Sequence, residues 1–593
     1  MFMTPDPTSL ETAPPLRSPR WPWVAAVASG LLLSLAFPDW DVPAMVWFWM
    51  FPLLAALWGP ANGAPPGRAF GLGWIAGFVC HFLVLRWLRD IHGAGHLSMV
   101  GWILLPAYLA CYTGLWSLFA ATVGRPAKGE ESESRLSPSL AGIRAAALNA
   151  AAWVFLEWFR GWFLGGFGWN GLGVPMQANA AMVQMAEITG ASGLSFLPVF
   201  LSIALYSAAT RIHQRVRRGQ AKAALNFDFT AAMALVVVWF LFGAARLVGL
   251  RAPEGGEKIQ VLILQRNIPQ ELKWDPTLAL DHVRGYLDAA GNAFQKHESE
   301  RQKRVETALA AEGEIHINLA PVEWILLPES ALPFYLTDPV VDEFRAAMRD
   351  IAGERASIVT GINDAEIGED PKMFNTIAVL AGEQDPVTYR KRNLVPFGEY
   401  LPLRWFPPMD WLAGEAVPGD FTPGDSTDPL VVKTRSGEVD IIPAICFEDT
   451  LGRHTRLFVR PNRAQVIVNT TNDGWFADPA AALQHAANAR LRCIETRRPM
   501  VRAANTGWSG VVDATGVVRA GIIDKKSGSP QIADTLIADV ELDKNPPLTF
   551  HTRFGDAFSF ACGFVALVGI FLRILVPATR QSREGSNNKA RPK

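Results

Sequence analysis

The segment "IIPAICFEDTLG", residues 441–452, runs from an apolar, strand-like stretch directly into Cys446, Phe447, Glu448 and Asp449. An apolar run that stops at a thiol and two carboxylates has the pattern of a buried strand whose end exposes polar side chains at a β-to-α turn, the usual place for sites in α/β folds. Two other strand ends carry polar residues in the same way: Glu329 in "WILLPESALP" (324–333) and Lys391 in "YRKRNLVPFGEYLP" (389–402). A carboxylate, an amine and a thiol from three strand ends form a nucleophilic set in which Glu329 takes the thiol proton, Cys446 attacks and Lys391 stabilises the developing oxyanion. Taken singly, each has a plainer reading. Glu329 could neighbour a helix N-cap, Lys391 could be a solvated charge, and Cys446 could be a small buried hydrophobe or the disulfide partner of Cys493. Cys493 lies in an amphipathic stretch among Ala, Leu and Ile, which reads as packing.

Half of the 593 residues are hydrophobic, and 21 are Trp, a composition that points to a membrane portion. A helix needs roughly 20 residues to cross about 30 Å of hydrocarbon. About eight apolar stretches qualify, near 22–38, 43–59, 69–88, 98–123, 145–164, 190–210, 229–249 and 555–577. A cytoplasmic N-terminus puts Lys and Arg in the inner loops, including Arg135, Arg144, Arg211 and Arg217, and leaves residues of about 250–554 outside. The expected domains are a seven-span bundle (1–250), an extracytoplasmic catalytic domain (251–550) and a last membrane helix with a cytoplasmic tail (551–593). The stretch "AKGEESESRLSPS" (127–139) reads as a disordered inner loop.

A net charge of −1 gives no electrostatic footprint for nucleic acid. Neither cofactor nor metal is expected, since "IHGAGH" (91–96) offers His92 and His96 without a third ligand. Within 250–554, nine turn-punctuated apolar runs read as strands: "KIQVLIL", "EWILLPE", "ASIVTGI", "NTIAVLA", "VDIIPAIC", "AQVIVNTT", "PMVRAAN", "SGVVDA" and "TLIADVEL". They alternate with helix-like stretches 277–311, 338–353 and 480–497, the last with a polar face for solvent. This is an α/β pattern.

The order of Glu329, "YRK" opening "LVPFGE", then "ICFE", together with "FNTIAVL" (374–380), "NTTNDGWF" (469–476) and "RAANTGWSG" (502–510), resembles the nitrilase or carbon–nitrogen hydrolase superfamily. That resemblance implies an α-β-β-α sandwich with a Glu329, Lys391 and Cys446 triad. A domain of this kind set between a seventh and an eighth membrane helix, with "EWFRGWFLGGFGW" (157–169) in the bundle and "QRNIPQELKWDP" (265–276) at the domain entrance, is similar to the apolipoprotein N-acyltransferases. The implied reaction moves an acyl chain from a phospholipid, through a thioester, to the α-amine of an N-terminal diacylglyceryl-cysteine on an apolipoprotein. It would be carried out by a monomer in the inner membrane with its catalytic domain on the periplasmic side. The resemblance also implies supporting roles for Glu399 and Glu448, a position beside the nucleophile for Phe447, and a lipid entrance lined by Trp274. A membrane-tethered amidase with the same triad and a non-catalytic receptor or transporter are the alternatives.

Two further expectations come from the residues. Glu157 and Arg160, three apart near the outer end of a span, could pair with each other, or Arg160 could snorkel to a lipid phosphate. The loop "LPLRWFPPMDWLAGEA" (401–416), rich in Trp, Phe and Met, reads as a lid or a membrane-dipping arm.

Overall fold

The computed structural model describes residues 20–38, 40–59, 63–126, 137–217, 219, 226–249, 257–310, 321–353, 356–413, 419–461 and 463–587. Most of 127–139 therefore lies outside the described residues, as do 414–416 of the aromatic loop.

Among the described residues, six helices are long and apolar enough to cross a membrane: Pro66–Val84, His96–Thr122, Pro138–Arg160, Phe196–Arg217, Phe227–Gly249 and Ala557–Leu575. Two shorter apolar helical segments, Trp21–Ser34 and Pro43–Trp58, complete the set. At about 1.5 Å per residue, a 14-residue helix rises only about 21 Å, so the first is short for a full crossing on its own. Glycines move two expected boundaries. The fifth span ends at Arg160, because Gly165 and Gly166 take φ of 88° and 78° in the loop beyond it. The sixth begins at Phe196, after a separate short stretch, Ala186–Leu194, that Gly190 kinks at φ 69°. Large apolar side chains face outward on the last two long helices, among them Val238, Leu241, Phe564 and Leu567. Such a surface suits hydrocarbon better than water.

The chain between these helices builds two sheets. The first contains β1 (Glu257–Gln265), β2 (Trp324–Leu326), β3 (Leu332–Tyr335), β4 (Ser357–Glu366), β5 (Lys372–Leu380) and β6 (Val387–Arg390), with the late strand β13 (Asp534–Leu542) beside β1. The second, in spatial order, is β12 (Val518–Ile522), β11 (Ser509–Val512), β10 (Met500–Ala504), β9 (Val466–Thr471), β8 (Gly437–Ile445) and β7 (Leu430–Thr434). All nine quoted strands are present, β6 is the strand that leads into Lys391, and β3, β7 and β12 are additional.

Alternation along the strands sets the layers. Ile259, Val261 and Ile263 of β1, with Trp324 and Leu326 of β2, share one apolar cluster with Val432, Val468 and Val501 of the second sheet. The intervening Leu262, Leu264 and Ile325 pack instead with Tyr286 and Phe344 of helices Ala279–Ala310 and Pro339–Ala352. This is the period-two pattern of a strand buried on both faces. Helices Gly452–Phe458 and Pro479–Thr496 cover the second sheet, giving an α-β-β-α sandwich.

The expectation of a solvent-facing polar stripe on residues 480–497 is overturned. Ala486, Ala489 and Cys493 pack on the sheet, while Ala481, Leu491 and Ile494 join the core of the helix bundle. Gln484, His485, Asn488, Arg492 and Glu495 are all buried. Their polarity serves hydrogen bonding across the junction, as buried polar groups require. Gln484 Oε1 accepts from the indole nitrogens of Trp87 (3.1 Å) and Trp169 (2.9 Å), and its amide nitrogen donates to the carbonyls of Pro38 (2.8 Å) and Val84 (3.0 Å).

Candidate active site

Glu329, Lys391 and Cys446 come from β2, β6 and β8, each just past the strand's last residue or within three residues of it. Gly361 on β4 lets the first segment approach: a Cβ there would lie 2.5 Å from Glu329 Cα. Lys391 is fixed by its own backbone, whose N–H donates to the Asn375 carbonyl at 2.8 Å. Cys446 opens a 3₁₀ turn, Cys446–Thr450, with φ at 53°, a left-handed conformation that costs a non-glycine residue about 1–2 kcal/mol. A sharp strand-to-turn junction of this kind presents a nucleophile at the sheet edge, and strain kept at one residue there is maintained by the surrounding contacts.

Lys391 Nζ donates to Glu399 at 2.8 Å and lies 3.9 Å from Glu329 Oε1. The Asn375 amide donates to both carboxylates, at 2.7 Å to Glu329 Oε1 and 2.9 Å to Glu399 Oε1. Glu329 Oε2 is buried and has no hydrogen-bond partner among the described residues. It is the free carboxylate oxygen of the cluster among the described residues. The Phe447 ring lies 5.7 Å from Lys391 Nζ. Lys273 Nζ, itself buried, donates to the Glu329 carbonyl at 3.1 Å.

The electrostatics follow from burial. Burial pushes the Cys446 thiol above its ordinary value, Glu329 pushes it further, and Lys391 pulls it back. Burial likewise raises the Glu329 carboxyl, opposed by Lys391 and reinforced by Glu399. Lys391 is depressed by burial, but Glu399 and Glu329 outweigh this and hold it above its usual range, so it stays charged. Lys273 is lowered to about 8 by burial, with Glu329 opposing. A protonated thiol therefore sits beside a carboxylate made more basic than usual and a fixed cation. That arrangement favours proton transfer during attack over a standing thiolate.

Of the remaining expected residues, Glu399 is in the cluster and Glu448 lies behind it. Glu448 is completely buried and accepts from Tyr389 Oη (3.0 Å) and from the backbone N–H groups of Arg392 (3.0 Å), Asn393 (2.8 Å) and Ile445 (3.0 Å). It ties the turn at Cys446 to the loop after Lys391. Trp274 follows Lys273 and is 43% exposed, outside the charged cluster. Cys446 and Cys493 are both free thiols, which removes the disulfide reading. The Glu157–Arg160 expectation also needs correction. Glu157 accepts from Trp153, Ser195 and the Leu172 N–H, whereas Arg160 is buried and bonds His81 Nε2 and the Trp169 carbonyl, each at 3.0 Å. Arg160 thus holds the loop after its helix and does not snorkel.

Residues 29–204 match the family model for the apolipoprotein N-acyltransferase N-terminal domain, and residues 289–545 match that for carbon–nitrogen hydrolases. An apolipoprotein N-acyltransferase of Allorhizobium ampelinum is 31% identical over 583 residues, covering 93% of this chain and 94% of its own length. The chain belongs to the apolipoprotein N-acyltransferase family. Another relative of that name, from Geobacter metallireducens, is 29% identical over 92% of this chain and 94% of its own. The solved structure of a glutamine-dependent NAD+ synthetase from Acinetobacter baumannii, in complex with adenosine diphosphate, aligns with 48% of this chain and 46% of its own at 12% identity and a TM-score of 0.30. As an apolipoprotein N-acyltransferase family member, the protein is an enzyme and a membrane protein, with a nitrilase-like domain joined to apolar helices.

Residue-level reading missed Asn375, Lys273 and a second group of buried charges made by Asp449, Asp473, His485 and Arg502. Asn375 and Asp473 lie inside quoted motifs, "FNTIAVL" and "NTTNDGWF". Arg502, at the centre of the apolar strand "PMVRAAN", carried a signal: an arginine in a buried strand needs a carboxylate partner.

Proposed function

We propose that this protein acylates the α-amine of the N-terminal diacylglyceryl-cysteine of apolipoproteins, taking the acyl chain from a phospholipid, with Cys446 as the acylated nucleophile, Glu329 as the base and Lys391 as electrostatic support. The observation that carries this reading is that three strand ends deliver these residues, with Glu329 and Lys391 buried 3.9 Å apart in a cluster where, among the described residues, only Glu329 keeps an unpartnered carboxylate oxygen. Glu329 takes the Sγ proton as sulfur attacks the ester carbonyl, and the oxyanion develops beside Lys391 and the first N–H groups of the 3₁₀ turn, which the helix leaves unused. Collapse expels the lysophospholipid alkoxide, which recovers the proton from Glu329. The acceptor amine then opens the thioester, giving up its proton to Glu329 while the Cys446 sulfur departs and is reprotonated. Glu399 keeps Lys391 oriented and Glu448 holds the turn. Trp274, exposed beside the cluster, lines the lipid entrance.

The segmentation into a bundle (1–250), an extramembrane domain (251–550) and a final helix with its tail (551–593) fits a monomer in the inner membrane with the catalytic domain on the periplasmic side. The Lys and Arg bias of the opposite loops supports that orientation. Residues 401–413 support an arm that meets lipid: Trp405 and Trp411 are 79% and 87% exposed, an unfavourable arrangement in water. The experiment is transfer from a vesicle phospholipid to a synthetic diacylglyceryl-cysteine peptide. An amide-linked third chain on the peptide is expected, and fatty acid released with the peptide unmodified would overturn the transferase reading. Reporter fusions at residues 217 and 300 should report opposite sides of the membrane; the same side for both would overturn the orientation.

A further inference from the structure

Around Asp449, on the turn that Cys446 opens, four charged groups are buried together. His485 Nδ1 is 2.8 Å from Asp473 Oδ1, and His485 Nε2 is 2.9 Å from Asp449 Oδ1. Arg502 takes the two remaining oxygens, with Nε 3.2 Å from Asp449 Oδ2 and Nη2 3.2 Å from Asp473 Oδ2, and its Nη1 donates to the Trp508 carbonyl at 2.6 Å. All four side chains are 0–1% exposed. The Trp169 ring lies over the imidazole, centroids 5.3 Å apart. A neutral imidazole has one donor and one acceptor, whereas a carboxylate only accepts, so a ring with both nitrogens on carboxylates needs both protons. Arg502 donates to the second oxygen of each carboxylate, so each accepts at both oxygens, which leaves the shared protons on the ring. Two carboxylates are then balanced by one guanidinium and one imidazolium, the form in which buried charge is tolerated.

Position gives this cluster its meaning. Asp449 is on the same 3₁₀ turn as Cys446, while His485 is on the helix that Gln484 fixes to the bundle through Trp87 and Trp169. Glu448 pulls the turn toward the Lys391 loop, and Asp449 pulls it toward the membrane helices. We propose that His485 is an imidazolium that clamps Asp449 and so serves as a positioning residue for Cys446, coupling the nucleophile turn to the seating of the domain on the membrane bundle. The clamp rests on the reading of Cys446 as the acylated nucleophile. Burial depresses the imidazole, but Asp449 and Asp473 raise it to about 9, in agreement with a charged ring at neutral pH.

The test has two arms on the full chain in lipid nanodiscs. In the first, nitrogen NMR of ¹⁵N-histidine-labelled protein, with the His485 signals assigned by their loss in His485→Gln, reads ring protonation at pH 7.5. Two protonated ring nitrogens are expected, and one bare nitrogen overturns the clamp. In the second, single-turnover acylation of Cys446 by vesicle phospholipid should slow about 10²-fold in His485→Gln, with little change in the phospholipid concentration that half-saturates the rate, because a misplacement of about 1 Å carries a penalty of that order. The charge-balanced double variant His485→Gln, Asp449→Asn should regain at least about tenfold of the loss, a recovery that a merely structural defect does not show. Wild-type rates in His485→Gln overturn the positioning role, as does a double variant no faster than the single one. If His485→Gln does not fold, the double variant, which also lacks His485, assigns the ring signals by their loss, and one bare nitrogen in the wild type overturns the clamp. Wild-type protein that acquires no acyl group removes the nucleophile reading instead, and the NMR arm still decides the clamp.

Discussion

Two clusters of buried charge flank Cys446 and differ in one respect. In the Asp449, Asp473, His485 and Arg502 group every carboxylate oxygen has a partner. In the Glu329, Lys391 and Glu399 group one oxygen, Glu329 Oε2, has none among the described residues. A buried acceptor without a donor costs about 1–3 kcal/mol, more when charged, and a fold keeps one where something else will supply the proton. The satisfied cluster is a frame and the unsatisfied one is poised for chemistry. Burial alone does not separate them, since both are buried; the pattern of hydrogen bonds does.

Removing the free oxygen should have the largest effect. Glu329→Gln is expected to slow Cys446 acylation by about 10²–10⁴-fold. Its thermal stability should equal or exceed that of the wild type, because a buried carboxylate oxygen without a donor has gone. Single-turnover kinetics and a melting curve together check this, and wild-type rates in a folded variant would erase the distinction between the clusters. Glu399→Gln sharpens the comparison from the other side. It removes the 2.8 Å partner of Lys391 and should reduce both activity and stability, the latter by up to about 3–5 kcal/mol, because a buried cation loses its nearest anion. Denaturation that matches the wild type would show that Glu329 alone suffices to hold Lys391.

The satisfied cluster should instead appear as a dependence of stability on pH. His485 is raised from 6.5 to about 9, so its contribution is fully present below pH 6.5, declines as pH rises, and is lost above about 9. The melting temperature should fall across that window in the wild type, and the fall should be smaller in His485→Gln. An identical decline in both would assign it to other groups. The smallest effect on the reaction is expected at the junction. Gln484→Ala leaves the indole N–H groups of Trp87 and Trp169 without their acceptor, at about 1–3 kcal/mol each, while the triad keeps its own contacts. A lower melting temperature with a nearly normal acylation rate is the expected pair of results.

Much of this architecture is legible in the sequence because strand ends announce themselves. Apolar runs that stop at Glu329 and Cys446 fix both the sheet and the chemistry, and the resemblance to carbon–nitrogen hydrolases rests on the same residues. What sequence periodicity could not reveal was where the polar face of 479–496 goes. An amphipathic pattern says that one side of a helix is polar, and water is the default partner; here the partner is the membrane bundle, and Gln484, Asn488 and Glu495 are buried against it. The same limit applies to Arg160. Its spacing from Glu157 permits a pair, but the bonds to His81 and Trp169 depend on segments that only the fold brings near. Short strands such as β3, four residues, and β12, five, carry too little alternation to register.

Whether Cys446 carries an acyl group is read most directly by intact-mass analysis of the protein after incubation with one defined phospholipid and no acceptor. The predicted result is a gain of one fatty-acyl mass that maps to Cys446, is removed by neutral hydroxylamine, is discharged by a diacylglyceryl-cysteine peptide, and is absent in Cys446→Ala but present in Cys493→Ala. An adduct that persists in Cys446→Ala, or an active enzyme that never gains mass, would contradict it.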